Sequence, residues 1–372
     1  MSAAAGYDSH YLKDVTALGD SREVRTSQAI WSRSRIKLVE KGVRVDSRLH
    51  AQLMQHKLAP PIEECLAIAD PVTARNLRKA AEELIGSQTG FQRLTEGARR
   101  PGDLLASLER VALDPPLAVR LTVMRERRPA MFSHAVGVAL LAGYAGARAG
   151  FSAERLVRLA GAGLYHDLGE LHIDPELLAA QRPLTESERR QFYTHPLTGY
   201  LILQGRPGCE GALADAVLAH HERLDGSGYP RGARGDELDE DSRILAIAEI
   251  ASTFVTQPLE ADALRRLPVV LKLNHRRFDR ALSAHFIALG AAPAESAPAP
   301  DANGAALAAA LADDPEARGE LPAAARELGW LLEEVVHGVY RDAARPPSPE
   351  VAQWAEDTRR RLGQGEAAAL QA

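Results

Sequence analysis

Cysteine is almost absent from the 372 residues: Cys65 and Cys209 stand alone, and neither belongs to a CxxC pair. Both are expected to be inert thiols, and a reducing, cytoplasmic setting fits that usage. Aromatic residues make up only 5% of the chain, so the stacking platforms of RNA-binding proteins are lacking. No run of Lys or Arg forms a polymer-binding stripe, because 45 basic and 50 acidic residues are interspersed for a net charge of −5. A nucleic-acid polymer is therefore not an expected partner. Long apolar runs are missing as well. The best of them, VGVALLAGYAGA at 136–147, is cut off by Arg148 and falls short of the roughly 20 residues a membrane span requires. The opening MSAAAGYDSHYLKD has no basic segment followed by an apolar one, so a secretory signal is not expected.

Length allows about two or three domains. Residues 1–115 read as a mixed α+β accessory module. Within it, RIKLVEKGVRV at 35–45 predicts two short strands folded around a Glu-Lys-Gly turn. The stretch 70–86 predicts an amphipathic helix capped by Asp70, with Pro71 in its first turn and Gly86 as its stop. From 116 to 290 the pattern is almost wholly helical, with helices expected over 116–127, 130–149, 153–168, 175–180, 186–193, 197–204, 211–222, 241–255, 260–273 and 277–288. Asp174-Pro175 is a helix start, and TESE at 185–188 is a capping box. Residues 291–304 are a Pro/Ala linker. Residues 305–372 are expected to form a helical extension, in which Leu328, Leu331, Leu332, Val335 and Val336 would share one face of a 321–340 helix. That face needs cover, from the main domain or from another subunit in a homodimer. The fold class is mainly α, with a small N-terminal α+β module.

Five of the twelve histidines stand near the ends or faces of successive central helices: His134, His166, His195, His220 and His221. Asp167 follows His166 directly, and Glu249 lies in the ILAIAEI helix. Gaps of this size arise when successive helices each pass one point, and a bundle core collects metal ligands in that way. Five imidazoles and two carboxylates exceed the four ligands of a tetrahedral zinc. Shared between two divalent ions with Asp167 bridging, they suit iron or manganese. Bland alternatives exist for each residue. His166-Asp167 alone reads equally as a buried histidine held by its neighbour's carboxylate, His134 as a core histidine, His195 as a helix cap before Pro196, and Glu249 as half of an ion pair. Asp225 is expected to make an Asx-turn that sets the adjacent glycines.

The order of the motifs resembles one family. LYHDLGELHIDPELL (164–178), THPLTGYLIL (194–203), HHERLDGSGYPRG (220–232) and DSRILAIAEI (241–250) are similar to the HD-GYP domain, a branch of the HD metal-dependent phosphohydrolases. FSHAVGVALLAGYA (132–145) falls where that family carries its first histidine. The resemblance covers roughly 116–288 and implies an HD-type helical bundle that hydrolyses the bacterial second messenger cyclic di-GMP, to the linear dinucleotide or on to GMP. It implies His166 and Asp167 as catalytic residues. His134, His166, Asp167, His195, His220, His221 and Glu249 become the ligands of two metal ions, iron or manganese. Asp225, Gly228, Tyr229 and Pro230 become a substrate-binding loop that could also receive a signalling protein. In chain order, His134 and His166 would hold one ion and His195, His220 and His221 the other.

Three departures bear on activity. The family's HDxGK reads HDLGE, so Glu170 stands where a phosphate-facing lysine is usual. Glu249 replaces an aspartate. The family's Asp-Arg-Pro-Tyr-Arg segment is absent, and no Lys or Arg occurs from 244 to 264. Ala130 occupies the position from which some members bind a third metal, so two are expected. A metal-containing but catalytically weak domain, acting by nucleotide or protein binding, is the competing reading; hydrolysis of another phosphoester is a third.

Overall fold

The computed structural model describes residues 9–290 apart from 99–100, 180–181, 183, 210 and 257–262. The expected 291–304 linker and the 321–340 helix with its Leu/Val face lie outside the described residues. The described part is mainly helical with a few short strands, as the hydrophobic periodicity implies.

The N-terminal module begins with α1 (Ser9–Ser21), followed by β1 (Val24–Thr26), β2 (Ile30–Trp31), β3 (Lys37–Val39), α2 (Ser47–Met54) and β4 (Leu66–Ile68). β1 pairs antiparallel with β4, and β2 with β3. The hairpin expected around Glu-Lys-Gly does not form. Lys37–Val39 pairs backwards onto Ile30–Trp31, and Arg44 bridges to Arg25. The reason is local: Arg35 adopts a left-handed φ of 63°, turning the chain early. The Thr26 hydroxyl then donates to Glu40 O and accepts from Val43 N, which holds the 40–43 segment against β1.

Six helices precede or form the heart of the bundle: α3 (Ala74–Ser87), α4 (Thr89–Gly97), α5 (Pro101–Glu109), α6 (Pro115–Arg127), α7 (Pro129–Ala149) and α8 (Ala153–Tyr165). α3 starts later than expected because Thr73, not Asp70, is its cap, in a reciprocal box with Asn76. Asp70 is left-handed, with a φ of 56°. Gly86 lies inside α3 rather than stopping it. The sequence pattern also missed α1, α2, α4 and α5.

α7 is apolar nearly all round, and such a helix must be central. It is packed by α3, α5, α6 and α8 and by two later helices. By length and composition it could cross a membrane, but 83% of its most apolar window is buried inside the fold. One continuous apolar cluster runs from Tyr11 of α1 to Leu289 near the end of the described chain.

α8 stops at Tyr165, short of the expected 168, and the chain turns into a 3-10 segment, Leu168–His172. Beyond it come α9 (Pro175–Leu178), α10 (Glu186–Phe192), α11 (His195–Leu203), α12 (Ala212–Ala219), α13 (Glu240–Val255), α14 (Ala263–Leu273) and α15 (Arg280–Gly290). α13 and α15 complete the wall around α7.

Candidate metal centre

Each candidate ligand sits where a helix ends, begins or crosses the centre. His134 lies in the second turn of α7, and Glu249 in the middle of α13. His166 caps the C-terminus of α8, and Asp167 begins the 3-10 turn. His195 opens α11. It belongs to the helix despite the following Pro196, and Thr194 before it already has helical torsions. His220 caps the C-terminus of α12, and His221 begins the loop beyond. α11 reaches the 3-10 turn because Gly169 has no side chain; a Cβ there would stand 2.1 Å from His195 O.

All seven side chains converge, and all are buried, none more than 8% exposed. They form two groups of mutually close donor atoms that share one residue: His134, His166 and Asp167, and Asp167, His195, His220 and His221. Asp167 faces the groups with different oxygens. Its Oδ2 lies 2.9 Å from His166 Nε2 and 3.8 Å from His134 Nε2. Its Oδ1 lies 3.5 Å from His195 Nε2 and 3.6 Å from His220 Nε2. Glu249 Oε2 adds to the first group, 3.2 Å from His134 Nε2 and 3.3 Å from His166 Nε2.

The donor chemistry fits a cation. The Nδ1 atoms of His166, His195 and His220 each lie within hydrogen-bond reach of the carbonyl three residues earlier: 2.8 Å from Gly163 O, 2.9 Å from Phe192 O and 2.6 Å from Val217 O. An imidazole whose Nδ1–H is given to a carbonyl turns the lone pair of Nε2 the other way. Those lone pairs meet: His134 and His166 Nε2 are 3.1 Å apart, and His195 and His220 Nε2 are 3.2 Å apart. Two such lone pairs repel unless a proton or a cation lies between them. Burial pushes His134 down to about 4 despite Glu249 and Asp167, so it is neutral near pH 7 and able to ligate. Burial alone would raise Asp167; the imidazoles of His166, His220 and His195 outweigh it and hold the carboxyl well below its usual range. Two buried carboxylates thus face an imidazole cluster that calls for positive charge, and the residues present fit a divalent metal ion.

The expected substrate loop is only partly gathered here. Tyr229 stacks on His221 at 4.6 Å between ring centroids, and Tyr193 stacks on its other face at 4.0 Å. Gly228 is required at its position, because a Cβ would fall 2.4 Å from His221 O. Asp225 does make the Asx-turn, accepting from Ser227 N at 2.9 Å, but it and Pro230 are exposed and stand apart from the histidines. Sequence reasoning passed over Glu222. Its buried carboxylate accepts from Arg231 N at 2.7 Å and Ala233 N at 3.0 Å, tying the far side of the loop to the histidine pair. An acid directly after two candidate ligands was the available signal.

A cleft of about 440 Å³ opens onto the centre. Asp167, His221 and Glu249 line it together with Glu170, Phe192, and residues of α1 and of the α6–α7 junction.

The HD domain family matches residues 119–295, just under half of the chain. Among characterised proteins, the 3'3'-cGAMP-specific phosphodiesterase 1 of Vibrio cholerae is 39% identical over 119 residues, which cover 32% of this chain and 27% of that one. A cyclic di-GMP phosphodiesterase response regulator of Xanthomonas campestris is 36% identical, covering 31% of each. The 3'3'-cGAMP-specific phosphodiesterase 3 of Vibrio cholerae is 27% identical over 204 residues, 53% of this chain and 44% of that one. The matched region is under half the length of each of these relatives.

Proposed function

We propose that the protein, whose residues 119–295 match the HD domain family, is a metal-dependent phosphodiesterase of the HD-GYP kind acting on cyclic di-GMP or a closely related cyclic dinucleotide. The observation that carries this reading is Asp167, whose two oxygens face two separate groups of histidines. On this reading two divalent ions, iron or manganese, are held by His134, His166 and Glu249 on one side and by His195, His220 and His221 on the other, with Asp167 common to both. Such ions supply positive charge to an anionic phosphodiester and lower the pKa of water.

The chain's own residues do the rest. The backbone carbonyls behind His166, His195 and His220 fix the imidazole orientations, so little reorganisation is needed when charge changes at the centre. Burial of the whole cluster lowers the local dielectric and strengthens each charge interaction. The Tyr193–Tyr229–His221 stack, with Tyr229 sandwiched between the other two rings, holds the Gly-Tyr-Pro loop against the histidine pair. A nucleotide messenger of this kind implies a cytoplasmic setting.

Glu170, lining the same cleft, supports a second reading: a metal-holding domain with weak turnover that signals by binding a nucleotide or another protein. One experiment separates the two. The protein is loaded anaerobically with Fe(II) or Mn(II) and cyclic di-GMP and 3'3'-cGAMP are followed by chromatography. Turnover that Asp167→Ala abolishes is the expected result. Tight binding without turnover selects the second reading, and neither binding nor turnover rejects both.

A further inference from the structure

The centre sits at the bottom of a cleft whose upper wall comes partly from outside the matched HD domain. His10, Lys13 and Asp14 of α1 line it, as do Arg127 at the end of α6 and Arg128 just after it. A cyclic dinucleotide carries two phosphodiesters, so one can meet the metal ions while the other needs a counter-charge elsewhere. The usual sources of that charge are missing, since Glu170 is an acid and 244–264 holds no Lys or Arg. We propose that Lys13 and Arg127 are the phosphate-binding cations of this site, so that α1, through Lys13, completes a substrate pocket otherwise built by the HD domain. The proposal rests on the cyclic-dinucleotide reading given above.

The three cations of the wall are not equivalent. Arg128 is committed to structure: it donates to Asp14 Oδ2 at 2.9 Å and to Glu170 O at 2.8 Å, clamping α1 to the turn that follows Asp167. Asp14 is thereby engaged by Arg128. Arg127 Nε stands 3.9 Å from Asp14 Oδ1, too far for a hydrogen bond, and its side chain is 42% exposed. Lys13 is exposed and makes no ion pair among the described residues. Two cations are therefore available to an anion, against the acids Asp14 and Glu170 on the same wall.

Their position is fixed from beneath. Two residues before Lys13, the ring of Tyr11 is fully buried, with the Arg120 guanidinium 4.5 Å from its centroid and the His172 ring 5.2 Å away. Arg120 also pairs with buried Glu63 and lies 2.9 Å from His172 Nε2. His172 ends the 3-10 turn that Asp167 begins. This buried set locks α1 to the catalytic turn, so Lys13 faces the cleft at a defined height rather than from a loose arm.

The test is calorimetric binding of a phosphorothioate analogue of cyclic di-GMP to the Mn-loaded full chain. Lys13→Ala and Arg127→Ala should each weaken binding by about tenfold, with metal content and Tm unchanged, and the double variant should weaken it further. Exposed Lys41, in the 40–42 turn away from the cleft, is the control, and Lys41→Ala should bind as the wild type does. Raising the salt concentration should weaken the wild type more steeply than the double variant, a response that a merely structural role would not give. Wild-type affinity in the double variant overturns this inference alone. A metal-loaded wild type that binds no cyclic dinucleotide overturns it together with the proposed function.

Discussion

Gly163 packs directly on the backbone of Ala139: a Cβ on Gly163 would come within 2.6 Å of both the N and the Cα of Ala139. This contact sets the spacing of α7 and α8, and each helix delivers one ligand to the same group, His134 and His166. The Gly163 carbonyl also accepts from His166 Nδ1, so one residue governs both the approach of the helices and the orientation of the ring.

Gly163→Ala should therefore destabilise the protein by about 1–3 kcal/mol, the usual cost of overpacking a close contact. It should also lower metal affinity, because α8 must move away from His134. Thermal unfolding of the metal-free protein and metal titration read the two effects separately. A variant as stable as the wild type would show that the helices do not need this approach.

Glu222 makes a different kind of link, from the histidine pair to the loop beyond it. Glu222→Ala removes the acceptor of two backbone N–H groups, and Ala233 is itself buried. A buried donor without its partner costs about 1–3 kcal/mol. The expected outcome is faster amide exchange at Arg231 and Ala233, weaker nucleotide binding and unchanged metal content. Glu222→Gln keeps one acceptor oxygen and should fall between the two. Unaltered exchange at both amides would remove Glu222 from its role as loop anchor.

The centre was legible from the sequence because helix ends announce themselves. The HD, HP and HHE runs each sit where a helix begins or ends; their spacing is compatible with one meeting point, and the resemblance to HD-GYP domains is what implied that they share it. The division into two groups around Asp167 follows the order of the chain, since each group is carried by consecutive helices, and Glu249 crosses over from α13 to join the first. The N-terminal module was far less legible. Its pairing depends on a left-handed Arg35 and on hydrogen bonds of the Thr26 hydroxyl across fourteen or more positions, neither of which leaves a periodic trace. α1 escaped for a related reason: its inward face is completed by Arg120 and His172, residues more than a hundred positions away. The wall it contributes to the cleft could not be read from local pattern at all.

Glu170 tests the electrostatics of that wall from the other side. A carboxylate facing phosphate repels it, and replacing it by a cation reverses the sign of the contact. Glu170→Lys should tighten binding of the phosphorothioate analogue by about tenfold, since a favourable shift of about 1.4 kcal/mol is tenfold. Arg128 bonds the Glu170 carbonyl, not its side chain, so the clamp on this turn survives the substitution. Unchanged affinity would mean that phosphate does not approach this part of the cleft.

Acid should loosen α10, which leads through Phe192 and Tyr193 to His195. Hydrogen bonds from Arg182 and from the backbone and hydroxyl of Thr185 hold Glu188 down to about 2, against an ordinary value of 4.5. Because the folded value is depressed, the capping box contributes fully above about pH 4.5 and is lost as pH falls through about 2. An NMR titration of the Thr185 amide, which donates to Glu188 Oε2 at 2.8 Å, should show its midpoint near 2, and Glu188→Gln should flatten it. The box lies on the surface, so this fraying should precede any loss of the buried histidine cluster rather than cause it. A midpoint at the ordinary value of 4.5 would show that neither the arginine nor the cap engages the carboxylate in solution, and the entry to α11 would then need another support.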